Sequence, residues 1–211
     1  MSTLSSRVSN ASAALRRYGP SRYSVRLAQR GSKMVYMRHA ATVFRCDLAA
    51  SVKALAAKVP IQIEPLSRDE HDILYDFLSK HVRKDIIDWR LGEGWMPMVG
   101  FYRNKPIGVS WYSTQPLYLA SLGLYLNYGG GSGYIEGTMT DESLRGMGVA
   151  PAIRSHICAH LRELGCKQVF VCAGDDNEAS HAVARRCGFE PYEAITLTRF
   201  LGLRHYERHL L

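Results

Sequence analysis

Residues 133–151 read GYIEGTMTDESLRGMGVAP, a run that predicts a strand, a polar turn, a glycine-containing loop and the start of a helix. We expect the helix to begin at Pro151, because proline is favoured at the first helical position, where its missing N–H costs nothing. Gly165 is expected to end it. One face of this helix carries four apolar residues, Ile153, Ile157, Leu161 and Leu164. The spacing is that of an amphipathic helix packed on a core.

The loop in front of this helix is suited to bind an anion. Successive backbone N–H groups of residues 145–150 lie next to a helix N-terminus, where such groups form a cradle for a ligand such as pyrophosphate. Gly146 and Gly148 have no Cβ, so the main chain can come close to that ligand.

A second strand–helix unit follows. Residues 167–173 read KQVFVCA and predict a buried strand. Asp175-Asp176-Asn177 then offers a good helix cap. The short helix that starts there is expected to end at Gly188-Phe189.

These two units together resemble the GNAT superfamily of N-acetyltransferases. The pattern Arg145-x-x-Gly148-x-Ala150 is similar to the family signature R/Q-x-x-G-x-G/A, and Asn177 with Gly188-Phe189 is similar to a second hallmark. The resemblance covers about residues 61–200. It implies an α/β fold in which a mixed central sheet is splayed at the cofactor site and flanked by helices.

The resemblance also implies acetyl-CoA as co-substrate. Main-chain groups of the central strand would pair with its pantetheine arm, the loop amides would hold its diphosphate, and the second helix would contact it. The residues expected to bind it are Met139, Thr140, Arg145, Gly146, Met147, Gly148, Val149, Ala150, Asn177 and Ser180.

The implied reaction is direct attack of a primary amine on the thioester, with no metal. Glu136 is the candidate base, because it is the lone acid in an apolar-to-small strand, where burial raises the pKa of a carboxyl. The alternative is that Glu136 faces solvent or binds a structural arginine. Many family members carry a tyrosine acid at the position of Ala184; here Tyr192 or solvent is left to protonate the thiolate.

Three other functions compete with acetyl transfer. Ala184 and the basic N-terminus are compatible with a catalytically silent binding or regulatory module. A longer acyl thioester is a second alternative. A dinucleotide-binding module is disfavoured, because five polar residues separate the strand from Gly146, and Pro151 replaces the third glycine.

The net charge of +8 comes from one end of the chain. Residues 1–47 carry nine arginines and lysines against one acid, whereas residues 48–211 carry eighteen of each sign. Residues 1–33 hold seven of these basic residues among many serines. Such a composition is typical of a transit peptide, of a segment on anionic membrane or nucleic acid, and of a solvated arm.

The domain organisation predicted from these features has three parts. A basic extension over residues 1–58 is expected to be partly disordered or to add a peripheral strand or helix. The acetyltransferase domain covers residues 59–206, and residues 207–211 form a tail. Residues 34–44 predict a strand in the extension. A short amphipathic helix is predicted from Leu48, Val52, Leu55 and Ala56.

The domain itself is expected to open with a strand at residues 61–66. The S-x-x-E run at residues 67–70 predicts a capping box that starts a helix. A second helix is predicted over residues 84–91. Residues 98–102 and 107–112 then predict a β-hairpin.

The remaining expectations concern location and partners. Five cysteines without a CxxC pair indicate reduced, buried thiols, and no apolar run reaches transmembrane length. We therefore expect a cytoplasmic protein. The acceptor is expected to be a small-molecule amine, such as an amino sugar or an amino acid. Peripheral membrane contact through the arm and a homodimer are left open, and no specific nucleic acid is expected.

Overall fold

The computed structural model describes residues 36–49, 53–67, 70–79 and 82–211. The predicted basic arm of residues 1–33 lies outside the described residues. The chain divides into two compact units. The larger comprises Ala40–Ile195 and Arg208–Leu211, and the described part of the smaller comprises residues 36–39 and Thr196–Glu207. The smaller unit contains a turn at Leu201-Gly202, where both residues have positive φ.

The structure has ten strands and four helices among its described residues. The strands are β1 Tyr36–Asp47, β2 Gln62–Pro65, β3 Met96–Tyr102, β4 Lys105–Ser113, β5 Leu117–Leu119, β6 Leu124–Leu126, β7 Ser132–Thr140, β8 Gln168–Gly174, β9 Glu190–Phe200 and β10 Leu203–Leu210. The helices are α1 His71–Leu78, α2 Lys84–Gly92, α3 Val149–Glu163 and α4 Glu178–Arg186. None of these helices is long and apolar enough to cross a membrane.

The larger unit is built on one mixed sheet. Its strands run in the order β9-β1-β8-β7-β4-β3-β2. β7 and β8 are parallel, whereas β1–β8, β2–β3, β3–β4 and β4–β7 are antiparallel. β5 and β6 form a separate hairpin. The predicted α/β class, with a mixed central sheet flanked by helices, is confirmed.

The predicted hairpin is present as β3 and β4. Its two-residue turn is Arg103-Asn104, and both residues have positive φ, at 51° and 60°. This conformation suits a hairpin because its twist matches that of the flanking strands. The helix predicted over residues 84–91 is confirmed as α2. Ser67 and Glu70 do contact each other, but α1 begins only at His71.

Helix α3 begins at Val149, two residues earlier than predicted, and Gly148 is its N-cap with φ of 79°. Pro151 is therefore the third helical residue. It is still in the first turn, where a backbone N–H has no partner in the helix. The predicted apolar face is buried at Ile153, Ile157 and Leu161. The expectation for Leu164 is wrong: it is the C-cap residue and its side chain is 57% exposed.

Two glycines let α3 approach the sheet closely. A Cβ on Gly108 would lie 2.9 Å from Cδ1 of Ile153, and one on Gly133 would lie 2.7 Å from Cδ1 of Leu161. Both distances are too short for a real side chain. The missing side chains therefore set the depth of the helix on β4 and β7, and with it the position of the helix N-terminus.

The short helix predicted between residues 48 and 56 is wrong for the part that the structure describes. Residues 53–57 form neither helix nor strand, and residues 50–52 lie outside the description. The segment bonds to α3 instead. Ser155 Oγ donates to the carbonyl of Lys53 at 2.7 Å and accepts from the N–H of Leu55 at 3.2 Å. A tertiary partner has replaced the local helical hydrogen bonds.

The predicted strand at residues 34–44 is present as β1. It pairs with β8 from Ala41 opposite Gly174 to Asp47 opposite Gln168. β1 therefore lies inside the sheet, between β8 and β9, although its residues belong to the segment assigned to the extension. All five cysteines are free thiols, and four of them are buried.

Candidate active site

A cleft opens in the sheet where β7 and β8 separate. Their parallel pairing runs from Ser132 opposite Gln168 to Ile135 opposite Val171, and it stops there. β7 continues to Thr140, whereas the last residues of β8 remain paired with β1. The backbone of β7 after Ile135 consequently presents an open edge to the cleft. The splay implied by the family resemblance is present.

A bulge in β7 lies at the mouth of this cleft. Val109 pairs with Met139 and Trp111 with Glu136, so two residues of β7, Gly137 and Thr138, stand opposite the single residue between Val109 and Trp111. Gly137 has φ of 60°, a conformation that favours glycine. The bulge changes which face of the sheet the following side chains reach.

The loop between β7 and α3 is held by hydrogen bonds at both ends. Asp141 accepts from the N–H of Ser143 at 2.9 Å and so caps a short 3₁₀ turn. The N–H of Met147 donates to Leu144 O at 3.2 Å, and its carbonyl accepts from the N–H of Lys58 at 2.7 Å. The loop conformation is thereby fixed before any ligand binds.

The amide groups at the start of α3 are available for an anion. Val149 and Ala150 are the first two helical residues, and their N–H groups have no acceptor within the helix. Nothing lies within 4 Å of the position that a Cβ would take on Gly146. A diphosphate could therefore approach the main chain here, with the helix dipole favouring its negative charge.

A cavity of about 500 Å³ joins this loop to the cleft and to α4. Nine of the ten residues predicted to bind the cofactor line it: Met139, Thr140, Arg145, Gly146, Gly148, Val149, Ala150, Asn177 and Ser180. Met147 does not line it; this side chain is 38% exposed. The structure thus brings together residues from two separate sequence motifs around one cavity.

The charges that line the cavity are all positive. Arg145, Arg154 and Arg186 contribute to its wall, and no acidic residue among those that the structure describes does. Arg145 is exposed and pairs with Glu142 at 3.2 Å. Arg154, in contrast, is only 2% exposed. The cavity is consequently suited to an anionic ligand.

Asn177 caps helix α4 as predicted. Its Oδ1 accepts a hydrogen bond from the N–H of Ser180 at 3.0 Å. Both residues also line the cavity. A structural role and a place at the cavity therefore coexist for Asn177.

Glu136 lies on β7 just before the bulge and forms an ion pair with Arg90 of α2. Its Oε1 is 3.2 Å from Arg90 Nη2, and Oε2 is buried without a hydrogen-bond partner among the described residues. Burial raises the pKa of the Glu136 carboxyl, and Arg90 opposes this rise. The alternative interpretation, that Glu136 binds a structural arginine, therefore holds for Oε1. Oε2 makes no such contact among the described residues. Sequence reasoning missed Arg90, because nothing local marks it as a partner.

The candidate acid Tyr192 does not lie at the cavity. Its ring contacts those of Tyr128 and Phe170 at centroid distances of 5.6 Å, and the guanidinium of Arg45 lies 4.7 Å from its centroid. Ala184 is buried in the core. The expectation that Tyr192 protonates a leaving group is therefore not supported by its position.

The fold has several known counterparts. A fungal multi-domain GH3 β-N-acetylglucosaminidase, described with a GCN5-related glucosamine N-acetyltransferase region, matches 83% of this chain and 23% of its own with 18% identity and a TM-score of 0.61. A GCN5-related N-acetyltransferase from Kribbella flavida matches 82% and 62% with 10% identity and a TM-score of 0.55. One from Sphaerobacter thermophilus matches 85% and 56% with 15% identity and a TM-score of 0.52.

The chain spans less than two thirds of the length of each of these proteins, and at such identities the likeness concerns the fold. No curated protein matches the sequence significantly. Residues 62–189 match the acetyltransferase (GNAT) family. The cleft, the loop of backbone N–H groups at residues 145–150 (the amide loop) and this match together define the class as acetyltransferase. The chain belongs to the GNAT family.

The residues around the cavity fit the acyl thioester that this family normally uses. An open strand edge can pair with an amide-bearing arm, and free helix N–H groups with arginines can hold a diphosphate. Within the part of the chain that the structure describes, no group of three His, Cys, Asp or Glu side chains could hold a metal ion.

Proposed function

We propose that the protein transfers an acetyl group from acetyl-CoA to a primary amine of a small molecule. The observation that carries this proposal is the single cavity that joins the open edge of β7, the amide loop before α3 and the start of α4. Main-chain groups of Met139 and Thr140 would hold the arm of the donor. The N–H groups of Val149 and Ala150, with nearby arginines, would hold its diphosphate.

In this proposal Glu136 accepts the proton that the amine loses as it attacks the thioester. Its raised pKa makes it a better base near neutral pH than an exposed carboxylate. Arg90 holds Oε1, so Oε2 is the oxygen left to take the proton.

A catalytically silent binding module is the second candidate. It is favoured by Ala184, a small buried residue, and by the distant position of Tyr192, since no tyrosine of the described residues then lines the cavity. A thiolate is nevertheless a tolerable leaving group, since an ordinary thiol has a pKa of about 8.5. The missing tyrosine therefore does not prevent transfer.

Two measurements separate these functions. Calorimetry with acetyl-CoA and with a longer acyl-CoA tests binding and acyl preference, and mass spectrometry of a panel of amino sugars and amino acids tests transfer. We expect acetyl-CoA to bind and at least one amine to gain an acetyl group. Binding without transfer to any amine would favour the silent module, and failure to bind either thioester would refute the proposal.

A further inference from the structure

Among the residues that the structure describes, Arg154 is a buried cation without a partner of opposite charge. It lies on α3 and is 2% exposed. Its Nη2 donates a long hydrogen bond of 3.4 Å to Thr138 Oγ1, while Nε and Nη1 have no hydrogen-bond partner among the described residues. On one side the guanidinium faces an aromatic ring: its central carbon lies 5.9 Å from the centroid of the Phe189 ring.

The polar groups that face Arg154 cannot neutralise it. Within the described part of the chain they are the thiols of Cys158 on α3 and of Cys187 after α4, together with the Thr138 hydroxyl. Burial raises the pKa of Cys187 to about 11, and the pKa of Cys158 is raised by its contact with Cys46 and by burial. Both thiols are therefore neutral near pH 7. Burial lowers the pKa of Arg154 itself, but a guanidinium stays protonated in proteins.

A charge buried in this way destabilises the fold unless it meets an anion. Arg154 lines the same cavity as the amide loop, six residues along α3 from Gly148, which is about 9 Å of helix rise. At this depth it contacts Thr138, in the bulge that follows Glu136. The cation therefore lies beside Thr138, two residues along β7 from Glu136, and away from the place proposed for the diphosphate. Glu136 itself is not among the residues that line this cavity.

We propose that Arg154 stabilises the thiolate that departs when the thioester is cleaved. The inference rests on the proposed function. The amine nitrogen forms a bond to the carbonyl carbon and gives its proton to Glu136. The C–S bond breaks, its electron pair stays on sulfur, and the thiolate later takes a proton from solvent. Arg154 supplies the positive charge that faces this sulfur.

Two anions could in principle face Arg154: the departing thiolate, or a permanent carboxylate on the acyl group. The burial of the guanidinium favours the thiolate. Nε and Nη1 are buried, so Arg154 cannot offer a carboxylate the two-point contact that arginines usually make. A thioester is neutral, and negative charge reaches the sulfur only as the bond breaks. The cation therefore stabilises the transition state more than the bound substrate, which is how charge accelerates a reaction.

The test is the pKa of the thiol of CoA bound to the protein, followed by the ultraviolet absorbance of the thiolate during a pH titration. We expect a value at least about one unit below that of free CoA, which means at least a tenfold larger thiolate-to-thiol ratio at a given pH. Arg154→Met removes the charge at similar volume. In this variant the thiol should titrate as in free CoA, while CoA affinity at low pH, where the thiol is protonated, should change less than about threefold.

Arg162→Met is the matched control, because Arg162 lies on the same helix and is exposed. In Arg162→Met the pKa of the thiol of bound CoA should equal that in the wild-type protein. The inference would be overturned if the thiol pKa in the wild-type complex equals that of free CoA. It would also be overturned if the lowered pKa persists in Arg154→Met. The wild-type titration decides the question even if Arg154→Met does not fold. If CoA and acetyl-CoA do not bind at all, it is the proposed function that fails.

Discussion

Arg90 and Glu136 meet across the gap between α2 and the bulged strand β7, with Nη2 3.2 Å from Oε1. Both side chains are largely shielded, at 12% and 25% exposure. The arginine comes so close to the strand that a Cβ on Gly137 would lie 2.6 Å from its Nη1. A side chain at position 137 would therefore displace the Arg90 guanidinium from its present place, and the Arg90–Glu136 pair orients the carboxylate.

Replacing Glu136 by glutamine removes the proposed base while keeping its shape. We expect kcat to fall by roughly 10²–10⁴-fold, the range of general-base contributions, with little change in acetyl-CoA affinity. Activity of the wild-type protein should rise as the pH increases through the raised pKa of Glu136, because the base is the deprotonated form. That limb should vanish from the pH–rate profile of Glu136→Gln. Turnover close to wild type would leave Glu136 as a structural residue.

Removing Arg90 should shift the acidic limb of the pH–rate profile, which we assign to Glu136, without abolishing it. Arg90 lowers the pKa of Glu136, so Arg90→Met should raise it further and shift the acidic limb of kcat to higher pH. The measurement is a pH–rate profile of the variant. Lys84→Met is the matched control, because Lys84 is an exposed cation on the same helix that pairs with Asp88. A limb that stays in place in Arg90→Met would mean that Arg90 does not act on the base.

Ala150→Asp places a carboxylate among the N–H groups at the start of α3. An acidic residue suits the first turn of a helix, so the protein should still fold. Gly148 is a poorer site for this test, because its φ of 79° strains other residues. Each lost charged hydrogen bond is worth about 1.5–3 kcal/mol, so acetyl-CoA should bind roughly ten- to a hundredfold more weakly.

Calorimetry checks this prediction, with Gln115→Glu as the control that adds one negative charge at an exposed turn. Gln115→Glu should bind acetyl-CoA as the wild-type protein does. Unchanged affinity in Ala150→Asp would exclude the amide loop as the diphosphate site.

The close approach of α3 to the sheet gives a prediction about stability. Gly133→Ala puts a methyl group 2.7 Å from Cδ1 of the fully buried Leu161, and we expect overpacking to cost about 1–3 kcal/mol. Gly130→Ala is the control, since nothing lies within 4 Å of its Cβ position. Urea unfolding measures both variants. Equal midpoints would show that the helix can shift away at no cost.

Features that depend on a few neighbouring residues were accessible from the sequence. The glycine loop, the cap at Asn177 and the hairpin turn, predicted over residues 103–106 and found at residues 103–104, are each specified by residues within four positions of one another. Glycine and asparagine act there through local geometry. The family match at residues 62–189 confirms what these local patterns predicted about the class of protein.

Features that depend on tertiary contacts could not be predicted from the sequence. Arg90 and Arg154 lie on helices, where an arginine normally indicates a solvated face. Each is shielded because another element covers it: Arg90 is half-buried against β7, and Arg154 is buried beside Phe189. The helix predicted at residues 48–56 failed for the same reason, since Ser155 of α3 offers that segment better partners than its own backbone.

The pairing of β1 with β8 also has a consequence for biosynthesis. Thr42 and Asp175, which are joined by a hydrogen bond of 2.9 Å, are 133 residues apart in the chain. At the usual speed of translation, about 5–20 residues per second, roughly seven to thirty seconds pass between the synthesis of β1 and that of its partner strand. Contacts of such long range form late in folding, because loop closure must be paid for first. We therefore expect that, in pulse labelling by hydrogen exchange during refolding, the amides of residues 41–47 become protected after those of the β3–β4 hairpin. Until then β1 is an unpaired strand that a chaperone would have to shield.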